Sequence, residues 1–413
     1  MNNTHKLCNH QYLVHRNAPD GAGGAAGRSK LGTVSVNRVG IAGIGHTAFG
    51  RLEGRSALEL EAQAARRAVR DAGLAPADID GLITDPGAAQ GVLNGIEPHY
   101  LRLGRALGLD PDFAGTEILG GASSVASIQR AALAIEAGLC SVCLCVYADT
   151  ALSSAGSYAY GRGEEAAFGF FGAAGLHALA AQRHMARYGT RPEAFAEVAI
   201  AARAHAARTP HAQLKKPLDM ASYFDSRMLV EPLRRADCCL VSDGAAAVVV
   251  CAAERAKDLR QGAVPILGMG QAHSLGTFSN PAHFDTLPAA RCGPRALARA
   301  GLGASDVDVA MLYDCFTIVV LMQLEAYGFC APGEAGDFVA DGRIGPGGAL
   351  AVNPSGGLLA EGYGGGMLHV IEAVRQLRGA AGERQVAGAE VALVSGHGLG
   401  MNSHATLILG SRA

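Results

Sequence analysis

Apolar and polar positions fall into blocks whose periods separate strands from helices, and the regular pattern starts at Val36. Val39-Gly-Ile-Ala-Gly-Ile-Gly45 predicts a buried strand running into a turn. From Ser56 to Ala72, Leu58, Leu60, Ala64 and Ala68 recur at helical spacing and predict an amphipathic helix. Cys239 to Cys251 predicts a turn followed by a second buried strand. Residues 1–35 carry no such pattern. Asn17 to Gly27 is rich in Gly and Ala, so this stretch is expected to be a flexible N-terminal extension. His5, Cys8, His10 and His15 lie in it without the surrounding structure that closes a metal site.

The most informative pattern is an internal repeat. Arg67 to Asp80 resembles Arg295 to Asp308 at an offset of 228 residues. Each copy predicts a helix stopped by Gly73 or Gly301, then an Asp-x-Asp turn, then a strand. A second shared pattern of small residues, helix and buried strand covers Gly120 to Asp149 and, later, Gly362 to Gly398. Two related α/β halves follow, each with a central sheet. The expected division is 36–270 for the first half and 271–413 for the second. Residues 154–237 have no counterpart in the second half and read as an insertion in the first, over the active face. Gly43-x-Gly45-x-x-Ala48 imitates a dinucleotide fingerprint, but the next helix starts too late and no acidic residue closes a second strand, so no nicotinamide site is expected.

At 413 residues with 49% hydrophobic content, the chain can bury a large core. No apolar run reaches the roughly 18 residues of a membrane span. Thirty-five basic and 37 acidic residues leave no electrostatic footprint for nucleic acid or an anionic membrane. The ten cysteines sit mostly in apolar runs such as Cys140-Ser-Val-Cys143-Leu-Cys145, with no secretory signal before them. They read as free thiols in a reducing cytoplasm. Cys315 and Cys330 read as core, and no His/Cys/Asp cluster has metal-ligand spacing.

Five segments carry a family resemblance: Gly120-Gly-Ala-Ser-Ser-Val-Ala-Ser127, Ser242-Asp-Gly-Ala-Ala-Ala247, Leu312-Tyr-Asp-Cys-Phe-Thr317, Asn353-Pro-Ser-Gly-Gly357 with Gly362-Tyr-Gly364, and Val394-Ser-Gly-His-Gly-Leu-Gly400. In this order they resemble the motifs of the thiolase superfamily, from about Val36 to Leu409. The resemblance implies a five-layer αβαβα fold with two duplicated halves and a loop-domain insertion. Its chemistry departs from a thiolase. The nucleophilic cysteine falls on Gly121 (or Ala122), and no Cys lies between Thr116 and Ala132. The histidine of Gly-His-Pro is Tyr363, the His/Asn of the other motif is Tyr313, and the C-terminal cysteine falls on Gly396 beside His397. Acyl transfer through a thioester needs that thiolate and is not expected.

Tyrosine keeps a donor–acceptor hydroxyl in the pocket, which suits a carbon–carbon cleavage that needs acid–base groups but no nucleophile. Two tyrosines 50 residues apart resemble the steroid side-chain aldolase branch of the thiolase-like lipid-transfer proteins. That resemblance implies retro-aldol cleavage of a bulky β-hydroxyacyl-CoA, with Tyr363 as base on the hydroxyl and Tyr313 at the enolate. Gly121, Ser123, Ser124, Ser355, Gly356, Gly357, His46 and His397 are the candidate substrate-binding residues. No cofactor is expected beyond the CoA thioester as substrate, and no metal. A homodimer is implied, joined by a small OB-fold and zinc-ribbon partner into a heterotetramer. Two other readings stay open: a transferase lacking the usual cysteine, and a non-catalytic scaffold that binds CoA or lipid.

Overall fold

Short strands of Val, Ile, Ala and Cys, apolar on both faces, dictate a sheet covered on both sides. A computed structural model of the chain describes residues 38–87, 93–94, 97–154, 167–169, 172–256, 259–274 and 284–411. The extension 1–35, with His5, Cys8, His10 and His15, lies outside the described residues, as does part of the insertion. The first half runs β1 (Val39–His46), α1 (Ala57–Ala72), β2 (Gly81–Pro86), α2 (His99–Leu107), β3 (Phe113–Thr116), α3 (Ser123–Glu136) and β4 (Val142–Thr150). The insertion contributes α4 (Gly172–Tyr188) and α5 (Pro192–Ala206), and β5 (Asp243–Ala252) completes the half. The second half runs β6 (Val264–His273), α6 (Ala289–Ala300), β7 (Val309–Met311), α7 (Thr317–Tyr327), β8 (Ala351–Val352), α8 (Gly357–Ala360), α9 (Met367–Leu377), β9 (Val391–Gly398) and β10 (Ser403–Gly410). The expected boundary at 270/271 falls inside β6, which begins at Val264.

Strand order is β1-β5-β4-β2-β3 in the first half and β6-β10-β9-β7-β8 in the second, the same topology twice. The two ladders are not separate. β1 pairs antiparallel with β6 through Gly40–Pro265 and Ile41–Val264, so ten strands form one continuous sheet. Between its two halves lies a shared helical layer. Val125 and Ile128 of α3 and Val370, Ile371 and Val374 of α9 pack with Ile83, Cys145 and Val248 from one half and Val309, Val394 and Leu407 from the other. The outer faces are covered by α1 on one side, and by α6, α7 and the insertion on the other. Period-two alternation drives this. Along β4, Cys143, Cys145 and Tyr147 face the shared layer, while Leu144, Val146 and Ala148 face the outer one.

The repeat is realised atom by atom. Gly73 and Gly301 end α1 and α6 in the left-handed conformation, at φ 75° and 72°. In the turns that follow, Asp78 accepts the amide of Ala75 at 2.8 Å and Asp306 that of Gly303 at 2.7 Å. Asp80 accepts from Val142 at the start of β4, and Asp308 from Val391 at the start of β9. The glycines that imitate a dinucleotide fingerprint have a packing role. A Cβ on Gly43 would stand 2.2 Å from the Ala68 carbonyl oxygen, and one on Gly268 would stand 2.2 Å from that of Ala296. Helix and strand backbones touch at both places, 228 residues apart on the helices. No described helix is long and apolar enough to cross a membrane.

Because the obstacle at Gly268 is backbone, it cannot swing aside. Gly268→Ala is expected to cost about 1–3 kcal/mol of stability, read as a lower urea midpoint. An unchanged midpoint would show that the helix can retreat freely.

Candidate active site

Tyr313 follows the end of β7, on a segment whose backbone is fixed from three sides. Its N–H donates to Ser395 Oγ of β9 at 2.8 Å. Its carbonyl accepts from Gln323 Nε2 of α7 at 2.8 Å, and Ser395 Oγ donates to Gln323 Oε1 at 2.5 Å. One residue earlier, the Asn353 side chain accepts from the Leu312 N–H and donates to its carbonyl, both at 2.8 Å. One residue later, Asp314 accepts the amides of Leu358 and Leu359 at the start of α8 and faces His369 Nε2 at 3.0 Å. Asp314 is thus a structural clamp. Tyr363 comes from the loop after α8, and its N–H donates to Ser242 Oγ at 3.0 Å.

These two segments bring the phenols together, with Tyr313 Oη 3.0 Å from Tyr363 Oη and either hydroxyl able to donate. Tyr313 is buried and Tyr363 keeps partial exposure. Burial, with Tyr363 alongside, pushes the Tyr313 hydroxyl well above the usual phenol range. Burial does the same to Tyr363, with Cys239 adding to it. Burial also raises the Cys239 and Cys315 thiols, so neither is a standing thiolate.

Gly121 lies in the turn entering α3. A Cβ there would stand 2.1 Å from Tyr313 Oη, 2.2 Å from Tyr313 Cζ and 2.4 Å from the His397 carbonyl oxygen. The phenol occupies the room a side chain at 121 would need. Gly396 is closed as well, since its Cβ would meet Ala122 Cα at 2.9 Å.

A buried group borders the tyrosines. His397 of β9 stands with its ring 6.3 Å from that of Tyr313 and its Nε2 3.2 Å from His177 Nε2 of α4. His177 Nδ1 donates to the Ala173 carbonyl at 2.7 Å, its ring stacks on Phe316, and Cys315 Sγ is 3.9 Å from its Nε2. Burial lowers His177 to about 4 and His397 well below its ordinary value, so both imidazoles are neutral.

The remaining candidate residues stand elsewhere or are engaged by the protein itself. Ser123 Oγ donates to the Gly120 carbonyl at 2.7 Å and accepts from the Leu119 amide. Ser124 Oγ donates to Asp85 at 2.7 Å, and Ser355 Oγ to Glu361 at 2.5 Å. These hydroxyls are thus engaged in shaping the turns. Gly356 allows contact with Ala206 of α5, and Gly357 makes room for the Asp314 carboxylate. His46 belongs to a different cluster. It accepts from Arg375 at 2.7 Å, donates to the Thr47 carbonyl and packs on His211. Burial and then Arg375 lower it to about 4.

Sequence reasoning missed His177, Cys239 and the Ser395–Gln323 brace. The only signal for His177 was the richness of the insertion in histidine. Cys315, read as core, is buried but borders the site.

Adding one methyl at residue 121 tests the fit of the phenol. Gly121→Ala should cost about 1–3 kcal/mol, and combining it with Tyr313→Ala should recover part of the loss in a urea-denaturation cycle. Strict additivity would mean the two positions do not compete for space.

Compared with known proteins, residues 270–411 match the family described as Thiolase C-terminal domain-like. The chain is 35% identical over 361 residues to a steroid side-chain-cleaving aldolase of Thermomonospora curvata, covering 83% of this chain and 90% of that one. It is 37% identical over 383 residues to a 17-hydroxy-3-oxo-4-pregnene-20-carboxyl-CoA lyase of Mycobacterium tuberculosis, covering 86% and 95%. A solved Ltp2-ChsH2(DUF35) aldolase superposes with a TM-score of 0.82 at 36% identity, over 92% of this chain and 99% of that chain.

Proposed function

We propose, for a chain that belongs to the thiolase superfamily beside the steroid side-chain-cleaving aldolases, that it is a carbon–carbon lyase cleaving a steroid-like β-hydroxyacyl-CoA by retro-aldol chemistry. The products are a ketone and a short acyl-CoA such as propionyl- or acetyl-CoA. The observation that carries this reading is the 3.0 Å contact of Tyr313 and Tyr363, with the phenol in the space of a residue-121 side chain.

The difficulty for tyrosine catalysis is that burial holds both phenols protonated. A pair removes it. Tyr363 Oη takes the proton of the β-hydroxyl while its own proton passes to Tyr313 Oη. Tyr313 delivers its proton to Cα of the enolate released when the Cα–Cβ bond breaks. The electron pair of the O–H bond becomes the ketone C=O, and the bonding pair of Cα–Cβ becomes the new C–H bond. Net, one proton moves from oxygen to carbon, and neither tyrosine need stand ionised in the resting enzyme. The relay calls for no cofactor beyond the CoA thioester substrate. His397, neutral and beside Tyr313, is a candidate to border the thioester.

The same reading extends to assembly. Among the described residues no strand pairs with the outer side of edge strand β3, and Ile118 beyond it is 51% exposed, as is Leu133 of α3 at 53%. These features favour a homodimer through that edge. The solved aldolase relative names a second protein, ChsH2(DUF35). A small OB-fold and zinc-ribbon partner, giving a heterotetramer, is the corresponding proposal here. Free cysteines fit a cytoplasmic location. Light scattering should give a dimer mass for the chain alone and a larger complex on co-expression; a monomer that ignores the partner would refute this assembly.

Tyr313→Phe and Tyr363→Phe should each lower turnover by about 10²-fold or more with the fold intact, assayed as ketone release without added CoA. A requirement for free CoA would point to acyl transfer instead. The raised phenol ionisations also fix the pH response. A phenolate base would make the rate climb about tenfold per pH unit below its ionisation, whereas the neutral relay predicts a nearly level rate from about pH 6 to 9.

A further inference from the structure

His177, Cys315 and His397 are the one His/Cys/carboxylate cluster with metal-ligand proximity among the described residues, their donor atoms all lying within 4.8 Å of one another. They come from three separate places: α4 of the insertion, the loop between β7 and α7, and β9. All three side chains are buried, at 3%, 9% and 3% exposure. We propose that they form a binding site for a borderline-soft divalent cation of the zinc class, with two imidazole nitrogens and one thiolate as ligands and a fourth position open. The inference does not depend on the aldol reading.

The spacing of the two imidazoles is that of a tetrahedral ion, and the sulfur stands just outside it. Zinc bonds of about 2.0–2.1 Å to nitrogen and about 2.3 Å to sulfur place two nitrogens about 3.3 Å apart and nitrogen and sulfur about 3.6 Å apart. The corresponding separations here are 3.2 Å for His177 Nε2 to His397 Nε2 and 3.9 Å for His177 Nε2 to Cys315 Sγ. The third pair, His397 Nε2 and Cys315 Sγ, lies within 4.8 Å, so binding draws the sulfur inward by up to about an ångström, a movement within reach of a turn about the cysteine χ1.

The second shell is built on the His177 side. His177 Nδ1–H donates to the Ala173 carbonyl, which fixes the tautomer and aims the Nε2 lone pair at the cluster. Phe316 stacks on that ring at 4.3 Å between centroids and holds its plane. Without an ion, His397 must place its proton on Nε2 to bond His177, which leaves its buried Nδ1 without a partner among the described residues. With an ion, Nε2 becomes a ligand and the proton moves to Nδ1, which then needs a water or substrate oxygen as acceptor, since no described protein group pairs with it. The Cys315 thiol then gives its proton to solvent and binds as thiolate. Two nitrogens and a sulfur disfavour magnesium and calcium, which take oxygen ligands.

The test uses the untagged full-length chain, dialysed against a chelator and titrated with Co²⁺. One equivalent should bind, with tetrahedral d–d bands and a thiolate-to-cobalt charge-transfer band. In Cys315→Ser the charge-transfer band should vanish, and in His177→Gln affinity should fall at least about tenfold, while Cys330→Ser should bind as the parent does. If those variants do not fold, zinc-edge X-ray absorption of the parent loaded with Zn²⁺ decides: one sulfur and two imidazole nitrogens are expected. Absence of saturable cobalt binding, a spectrum unchanged in folded Cys315→Ser, or a zinc shell without sulfur would each overturn the proposal.

Discussion

Residue 121 and the Tyr313 hydroxyl compete for one volume, since a Cβ and that oxygen would be 2.1 Å apart. A fold that presents a nucleophilic side chain at the start of α3 has no place for a phenol there, and the reverse holds as well. Once the phenol is seated, its backbone must be held against any rotation that would free the gap. Ser395, Gln323, Asn353 and Asp314 supply that restraint from β9, α7 and the segments around α8. The polar brace around Tyr313 is therefore buried and paired, as such a network must be to stabilise rather than weaken a core.

The second half of the molecule repeats the first in more than outline. Strand glycines meet helix carbonyls at Ala68 and Ala296, and paired aspartates tie turn to strand in both copies. The halves then diverge where chemistry begins. The loop after β2 leads toward a part of the chain outside the described residues, while the loop after β7 carries Tyr313 and Cys315. Duplication supplies the frame, and the asymmetry of loops and insertion supplies the site.

Much of the frame was legible because it rests on local rules. The helix-stopping Gly73 and Gly301 and the two-faced apolar strands are short-range signals, and the repeat is a comparison of two such local patterns. The tyrosine pair was legible through its motif positions, although nothing in the spacing alone says that residues 50 apart will touch. The hydroxyls of Ser123, Ser124 and Ser355 have protein partners that the sequence did not show, because a serine in a turn looks alike whether it faces a ligand or caps its own backbone. His46 shares a strand-end position with His397 yet meets Arg375 and His211 instead. His177 was invisible for a plainer reason: its contact with His397 spans 220 residues, and only tertiary packing creates it.

The joint between β1 and β6 has a consequence for biosynthesis. The ribosome delivers the first half complete, with β1 at its border and one face of α3 prepared for a layer that does not yet exist. Until α9 and β6 emerge, the nascent chain carries an unsatisfied strand border beside bare Val125 and Ile128. Such a border is a template for pairing with a neighbouring nascent chain. Gln129, which donates to the carbonyls of Gly270 and Thr406, finds both partners only once β10 has emerged. Maturation of this protein is thus a race for that border between its own second half and its neighbours on the polysome, and slowing translation past β5 would lengthen the exposed interval.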